Sequence, residues 1–232
     1  MRTMIGLFTA ISLLSSSTLI AQELSTFDLQ VRETLLRNPE IILEVFELLE
    51  EQEKSQAARQ DIEKISKNEK ALFGELDPMT PVIVEFLDYR CGYCRRNHAE
   101  LIDFLETNPN VVLIEKHFPI LGQESVEMSQ TALAIRIVHG DVAYRAFHNA
   151  MMGETRNGEV NMAEYIMAAG LDKAKIEEAY ASDVVLNEIS NVRGLARRLG
   201  ISGTPAFISR TSIVPRYADV ELLTQAVFGA QK

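Results

Sequence analysis

Apolar residues recur at helical spacing along most of this 232-residue chain and give way to short unbroken apolar runs at a few places. Near the start, Ser25-x-x-Asp28 resembles a capping box, with Asp in place of Glu. Phe27, Val31 and Leu35 follow at intervals of four, which predicts a short amphipathic helix over 26–37. Asn38-Pro39 restarts the helix, since Asn is a good N-cap and Pro suits the first helical position. From Glu40 an apolar face of Ile41, Ile42, Val45, Phe46, Leu48 and Leu49 lies opposite many acids, and residues 50–57 are polar throughout. A second seam runs through Ala58, Ile62, Ile65, Glu69 and Leu72, spaced 4, 3, 4 and 3. The first seam (Ile42, Val45, Leu49, Gln52), continued at the same spacing, reaches Gln56 and Arg59, both polar, so the phase slips across 50–57. Such a slip predicts a hinge or a change of packing partner rather than one uniform coiled coil. A helix this apolar on one side must bury that side. The polar break separates it from the rest of the chain, so 22–73 reads as an oligomerisation stalk and linker rather than as helices folded back on a main domain.

Beyond a Pro- and turn-rich loop at 74–81, Val82–Leu87 reads as a buried strand with Glu85 in its middle. A helix follows from Gly92 to about Glu106, with Leu101, Ile102 and Leu105 inward. Asn108-Pro109-Asn110 makes a turn into a strand over 111–118. The pattern is then helical at 125–139, 141–152, 162–169, 173–181 and 184–199, with breaks at Gly140, Gly153, Gly158 and Gly170. Segments 206–208 and 212–214 read as a closing hairpin, and 219–229 as a final helix. No internal repeat is visible.

Composition narrows the function. Hydrophobic residues make up 47% of the chain, enough for a sizeable core, and the net charge is −10. No basic stripe is present to meet phosphates, which argues against a nucleic-acid partner. Residues 1–21 read as a secretory signal peptide: Arg2 in front, an apolar stretch from Ile5 to Leu14, a small polar segment, and Ala21 before the cut. Cleavage removes one cation and no acid, taking −10 to −11. No other long apolar run exists, so a soluble exported protein is expected. Export places the chain where substrates carry disulfides.

Cys91 and Cys94 are the only cysteines, and they sit where the first strand runs into a helix. A structural zinc normally takes four ligands, yet no second CxxC and no His-x₃₋₅-His is present, so a redox pair is the stronger reading. Cys91 stands just before the helix, where unpaired N–H groups and the dipole favour thiolate, and Arg95 and Arg96 add positive charge. Cys94, one turn on and more buried, resolves the mixed disulfide that Cys91 forms. Glu85 inside an apolar strand is costly unless paired or protonated, or else it turns outward to solvent. His98, His117, His139 and His148 show no metal spacing. Met151-Met152 would suit Cu(I), though paired Met is more often core.

The order strand–CxxC–helix–strand, helical block, hairpin and helix is that of a thioredoxin fold with a helical insertion. On the run Val31-Arg-Glu to Asn38-Pro-Glu40, Glu85-Phe-x-Asp-Tyr-x-Cys-Gly-Tyr-Cys94, Phe118-Pro-Ile-Leu121 and Gly203-Thr-Pro-Ala-Phe207, residues 24–229 resemble the DsbA-like thioredoxin superfamily. They look most like its ScsC-type members, which carry N-terminal trimerisation helices. The resemblance implies an α/β fold: a signal peptide at 1–21, a helical oligomerisation stalk and linker at 22–73, and a thioredoxin domain at 74–232 with a helical insertion at about 119–200. It implies catalysis by Cys91 and Cys94, with Glu85 beneath the disulfide shuttling a proton to or from Cys94 at a raised pKa. Lys116 in the neighbouring strand is then a candidate charge partner for Glu85. Gly92, Tyr93, Thr204 and Pro205 would contact substrate, with Pro205 cis against the CxxC and the Thr204 backbone free to pair with an extended chain.

The implied function is a periplasmic thiol–disulfide oxidoreductase with no cofactor beyond the redox-active Cys91–Cys94 disulfide. The Gly92-Tyr93 pair is shared with isomerases, whereas strong oxidants of the family carry Pro-His. A potential nearer roughly −180 mV than about −120 mV is therefore expected. The implied partners are misfolded disulfide-containing exported proteins and a DsbD- or ScsB-like membrane reductant, in a homotrimer. The rivals are a DsbA-type dithiol oxidase recycled by a DsbB-like oxidant and, in another class, a copper-binding protein.

Overall fold

The computed structural model describes residues 25–153 and 161–229; the expected signal peptide and the break at Gly158 lie outside them. The chain divides into two compact units, Met1–Gln52 and Glu53–Lys232.

In the first unit, α1 (Thr26–Arg37) opens on the expected capping box. Asp28 N–H donates to Ser25 Oγ at 3.1 Å, and Ser25 N–H donates to Asp28 Oδ2 at 3.0 Å. No α1 residue is buried. Helix α2 (Glu40–Lys67) begins here and runs unbroken through 50–57. The phase slip is therefore no break in the helix. Residues 50–57 are strong helix formers whatever their polarity, so the backbone continues where the apolar seam does not. Leu43, Phe46, Leu48 and Leu49 are exposed at 63, 64, 59 and 49%, an apolar surface without a partner in a single chain.

The second unit takes up the end of α2 at once. Ile65, then Leu72 and Phe73 of α3 (Glu69–Phe73), are buried in its core. The boundary expected at 73/74 thus falls inside packed structure. Of the second seam, Ile65 and Leu72 pack in this unit, which begins near Glu53, whereas Ile62 stays exposed.

The sheet orders its strands β2-β1-β3-β4, from β1 (Val82–Leu87), β2 (Val112–His117), β3 (Ala206–Ile208) and β4 (Ile213–Val214). Strand β1 runs parallel to β2 and antiparallel to β3, and β3–β4 is antiparallel. Central β1 is buried at every position, which explains why it is apolar on both faces apart from Glu85. The hairpin between β3 and β4 closes without glycine because Ser209 Oγ accepts from the N–H groups of Thr211 and Ser212 at 3.2 and 3.1 Å.

Helix α4 (Gly92–Thr107) covers one face of the sheet, placing Leu101 and Phe104 on Ile83 and Phe207 together with Leu223 of the last helix, Val220–Phe228. Beyond β2, α5 (Gln123–Gly153) is broken at Gly140, whose φ of 80° favours glycine. With α6 (Met162–Ala168) and α7 (Lys173–Tyr180) it forms the inserted helical layer. Met151 and Met152 are buried in that layer's core. Helix α8 (Asp183–Leu199) returns to the sheet, packing Val192, Leu195 and Leu199 against Val84, Phe86 and Ile208. The closing helix is α9 (Val220–Phe228). Among the described residues no helix is long and apolar enough to cross a membrane.

Candidate functional site

The site forms where β1 ends. Asp88, fully buried, folds the chain there. Its Oδ1 accepts from Arg90 N–H at 2.8 Å, and its Oδ2 accepts from the N–H groups of Ile120 and Leu121 at 2.8 and 3.1 Å, which draws the loop after β2 up to the CxxC. The sequence reading carries Asp88 within the Glu85-Phe-x-Asp-Tyr-x-Cys motif but gives it no role, although an acid closing a buried strand beside a CxxC is a visible signal. Cys91 then takes the N-cap of α4, and its carbonyl accepts the first helical bond from Arg95 at 3.1 Å. A Cβ on Gly92 would meet nothing nearer than the tip of Arg95 at 4.0 Å, so glycine here answers no backbone need and leaves the rim of the site low.

Both cysteines are free thiols. Cys91 keeps 6% of its surface and Cys94 none, so attack from outside reaches Cys91. The Thr204–Pro205 bond is cis, and the Thr204 carbonyl oxygen lies 3.2 Å from Cys91 Sγ. The Cys94 thiol donates to Cys91 and is the largest influence lowering Cys91 to about 5. Burial opposes it, while Thr204 and the N–H groups of Cys94 and Tyr93 add to it. The same hydrogen bond, then burial and the charge of Glu85, pushes Cys94 far up. The two thiols are thus split into an ionised nucleophile and a protonated resolver. The arginines have other partners: Arg95 Nη1 donates to the Tyr89 carbonyl at 2.6 Å, and Arg96 lies over the Tyr93 ring at 4.4 Å.

Alkylation of the reduced protein across pH should therefore modify Cys91 first, with half-maximal rate near pH 5 rather than near the ordinary 9.0. Equal labelling of both cysteines would contradict the split. The depressed value also stabilises the reduced fold. That contribution is full above about 9 and is lost as pH falls through about 5.

Glu85 is buried, 1% exposed, with Oε2 lacking any partner. Burial, then the charge of Glu115, raises it to about 8. Lys116 is not its partner. Glu85 is in register with Glu115 on β2, so Lys116 leaves the opposite face and lies 4.0 Å from Glu188 on α8. The cation near Glu85 is Arg145 of α5. Among the described residues no group of three or more His, Cys, Asp or Glu is arranged to hold a metal.

Residues 82–231 match the family model for the DSBA-like thioredoxin domain, and residues 27–56 match that for the copper resistance protein ScsC N-terminal domain. Among solved structures, a thioredoxin-like oxidoreductase from Silicibacter pomeroyi DSS-3 is 33% identical, over 69% of this chain and 95% of its own, at a TM-score of 0.61. Proteus mirabilis ScsC in a transitional conformation is 29% identical over 87% of this chain and 93% of its own, at 0.55. The thiol-disulfide exchange protein alpha-DsbA2 from Wolbachia pipientis shares the fold at 24% identity, over 73% of this chain and 95% of its own, at 0.65. No curated protein matches the chain in sequence.

Proposed function

From its membership of the DsbA-like thioredoxin family, to which this chain belongs, we propose that the protein is a disulfide isomerase or reductase of exported proteins. It is a thiol–disulfide oxidoreductase with a CxxC pair. The finer reading rests on the unpartnered apolar face of Leu43, Phe46, Leu48 and Leu49, which precedes the catalytic unit and falls within the stretch similar to the ScsC N-terminal domain. Further copies of this chain, three in all, cover that face.

Cys91 attacks a substrate disulfide as the thiolate, forming a mixed disulfide and releasing the other substrate sulfur as a thiolate. Cys94 then attacks Cys91 Sγ, giving its proton to ionised Glu85 and freeing the second substrate sulfur. Isomerisation follows when a substrate thiolate displaces Cys91 before Cys94 does. Substrate lies along Gly92 and Tyr93 and pairs with the Thr204 backbone beside Pro205. A low Cys91 pKa suits this work, because an isomerase needs its thiolate free at rest. We place the protein in the periplasm, after removal of residues 1–21, as the relative from Salmonella enterica serovar Typhimurium is described as periplasmic. A membrane reductant of the DsbD or ScsB kind keeps it reduced.

Acid-quenched thiol trapping in cells tests this. Cys91 and Cys94 should be recovered mainly as free thiols. Recovery mainly as the Cys91–Cys94 disulfide would instead assign a dithiol oxidase served by a DsbB-like oxidant.

A further inference from the structure

Two buried carboxylates lie side by side beneath the CxxC, and the chain treats them differently. Glu85 and Glu115 are register partners on parallel strands, so both side chains leave the sheet on one face. Two carboxylates in so dry a place do not both ionise without cost. Glu115 Oε1 accepts from Arg145 Nη1 at 2.5 Å and lies 3.1 Å from His148 Nε2. Glu85 Oε2 has no such partner. Glu115 is therefore the ion-paired carboxylate and Glu85 the unpaired one.

The surrounding groups fit that division. His148 Nδ1 lies 3.1 Å from Tyr89 Oη, and burial keeps the ring neutral, lowering it to about 3. His117 is lowered to about 3 by burial, and its Nε2 lies 3.0 Å from Tyr144 Oη. His98 of α4 stands edge-on to His148 at 5.3 Å and is lowered by burial. Tyr89 and Tyr144 are pushed up by burial and stay neutral. Arg136 lies over the Tyr144 ring at 5.2 Å. Arg145, with 46% of its side chain exposed, reaches from Glu115 to solvent.

We propose that Glu115, ion-paired with Arg145, is a positioning residue whose negative charge favours the proton on Glu85 and so sets the pH range over which Cys94 opens and closes the disulfide. The inference rests on the reading of Glu85 as the proton carrier of Cys94. In the opening direction a thiolate attacks Cys91 Sγ, the Cys91–Cys94 bond breaks, and Cys94 leaves with the electron pair and takes the proton of Glu85. In the closing direction Cys94 returns the proton to Glu85 carboxylate and attacks Cys91, and the other thiolate leaves. Removing the charge of Glu115 makes Glu85 easier to ionise, and removing that of Arg145 makes it harder.

Stopped-flow reaction of the reduced protein with dithiobis-nitrobenzoate separates the steps. The first nitrothiobenzoate is released by Cys91 and the second by Cys94. The second release should rise with a midpoint near pH 8 in the parent chain. Glu115→Gln should lower that midpoint by roughly one unit, Arg145→Gln should raise it comparably, and Arg145→Lys should restore it. The pH profile of the first release should stay put in all three. Glu85→Gln should slow the second release about 100-fold and remove its titration. An unchanged second release in Glu85→Gln would overturn the reading of Glu85 itself. A slowed Glu85→Gln, with Glu115→Gln and Arg145→Gln leaving the midpoint in place or moving it in one direction, would overturn only the role given to Glu115. Because Arg145 is half exposed, its variants keep the test decisive should Glu115→Gln fail to fold.

Discussion

A chain in which Cys94 is replaced by alanine attacks disulfides once and stays attached. Cys91 remains at the N-cap of α4, so it keeps the helical N–H groups that favour thiolate while losing the hydrogen bond of Cys94. First attack therefore persists, with the alkylation midpoint moved up from about 5. Release does not persist. Cys94 lies one turn away with no surface of its own, an internal thiol with a single nearby target. Well-placed internal groups act with effective molarities of about 10⁵ M or more, which millimolar external thiol does not replace. Reductase turnover on insulin should fall at least about 100-fold. Non-reducing gels of cells carrying the variant should show covalent adducts with exported proteins, all lost when Cys91 is also changed to alanine. Adducts persisting in the double variant would place the attacking group elsewhere. A variant that forms none would leave a thiol pair that holds metal, such as copper, as the better reading.

The parts of this site that sequence discloses are those whose chemistry is local. A mostly apolar run rich in β-branched residues predicts a doubly buried strand, and Val82–Leu87 is one. A CxxC after it predicts a helix N-terminus, and α4 starts at Gly92. Gly140 predicts a break and supplies one. Glu85 shows itself because a carboxylate in such a run has few alternatives to an unusual protonation. What surrounds it does not show itself. Choosing Glu115 over Lys116 as its neighbour requires the register between two strands 30 residues apart, and a slip of one residue exchanges the two faces. Arg145 and His148 come from a helix still further along, where nothing in the local pattern marks them. The seam at 58–72 was legible as an apolar face, but periodicity carries no address for the partner. Only Ile65 and Leu72 of it pack against α8 and the sheet, while Ala58 and Ile62 stay exposed.

That correction decides how the stalk is best removed. A chain starting at Leu72 would lack Ile65 and Asn68. Ile65 is buried in the core, and Asn68 Oδ1 accepts from Arg198 Nε at 2.6 Å. Loss of a buried Ile alone costs about 2–5 kcal/mol, enough to confuse a functional result with a folding one. A chain starting at Glu53 keeps both and discards α1 and the apolar face at 43–49. Burying each large side chain of that face is worth roughly 1.5–3 kcal/mol, so a few in contact hold several copies together. The mature full-length chain should therefore weigh as an oligomer, a trimer on the present reading, in light scattering, and the Glu53 chain as a monomer. The shortened chain keeps Cys91, Cys94, Glu85 and Pro205 in place, so its reduction of insulin should match the parent per active site. Isomerisation is the sensitive function, because a substrate must stay near a thiolate while it leaves one wrong bond and finds another. Several sites around one substrate raise their effective concentration, and linked binding of this kind gains 10²–10⁴-fold. Reactivation of scrambled ribonuclease by the Glu53 chain should accordingly fall at least about tenfold. A monomeric full-length protein, or a shortened chain that still unscrambles at the parent rate, would remove the stalk from the mechanism and turn the assignment toward a dithiol oxidase.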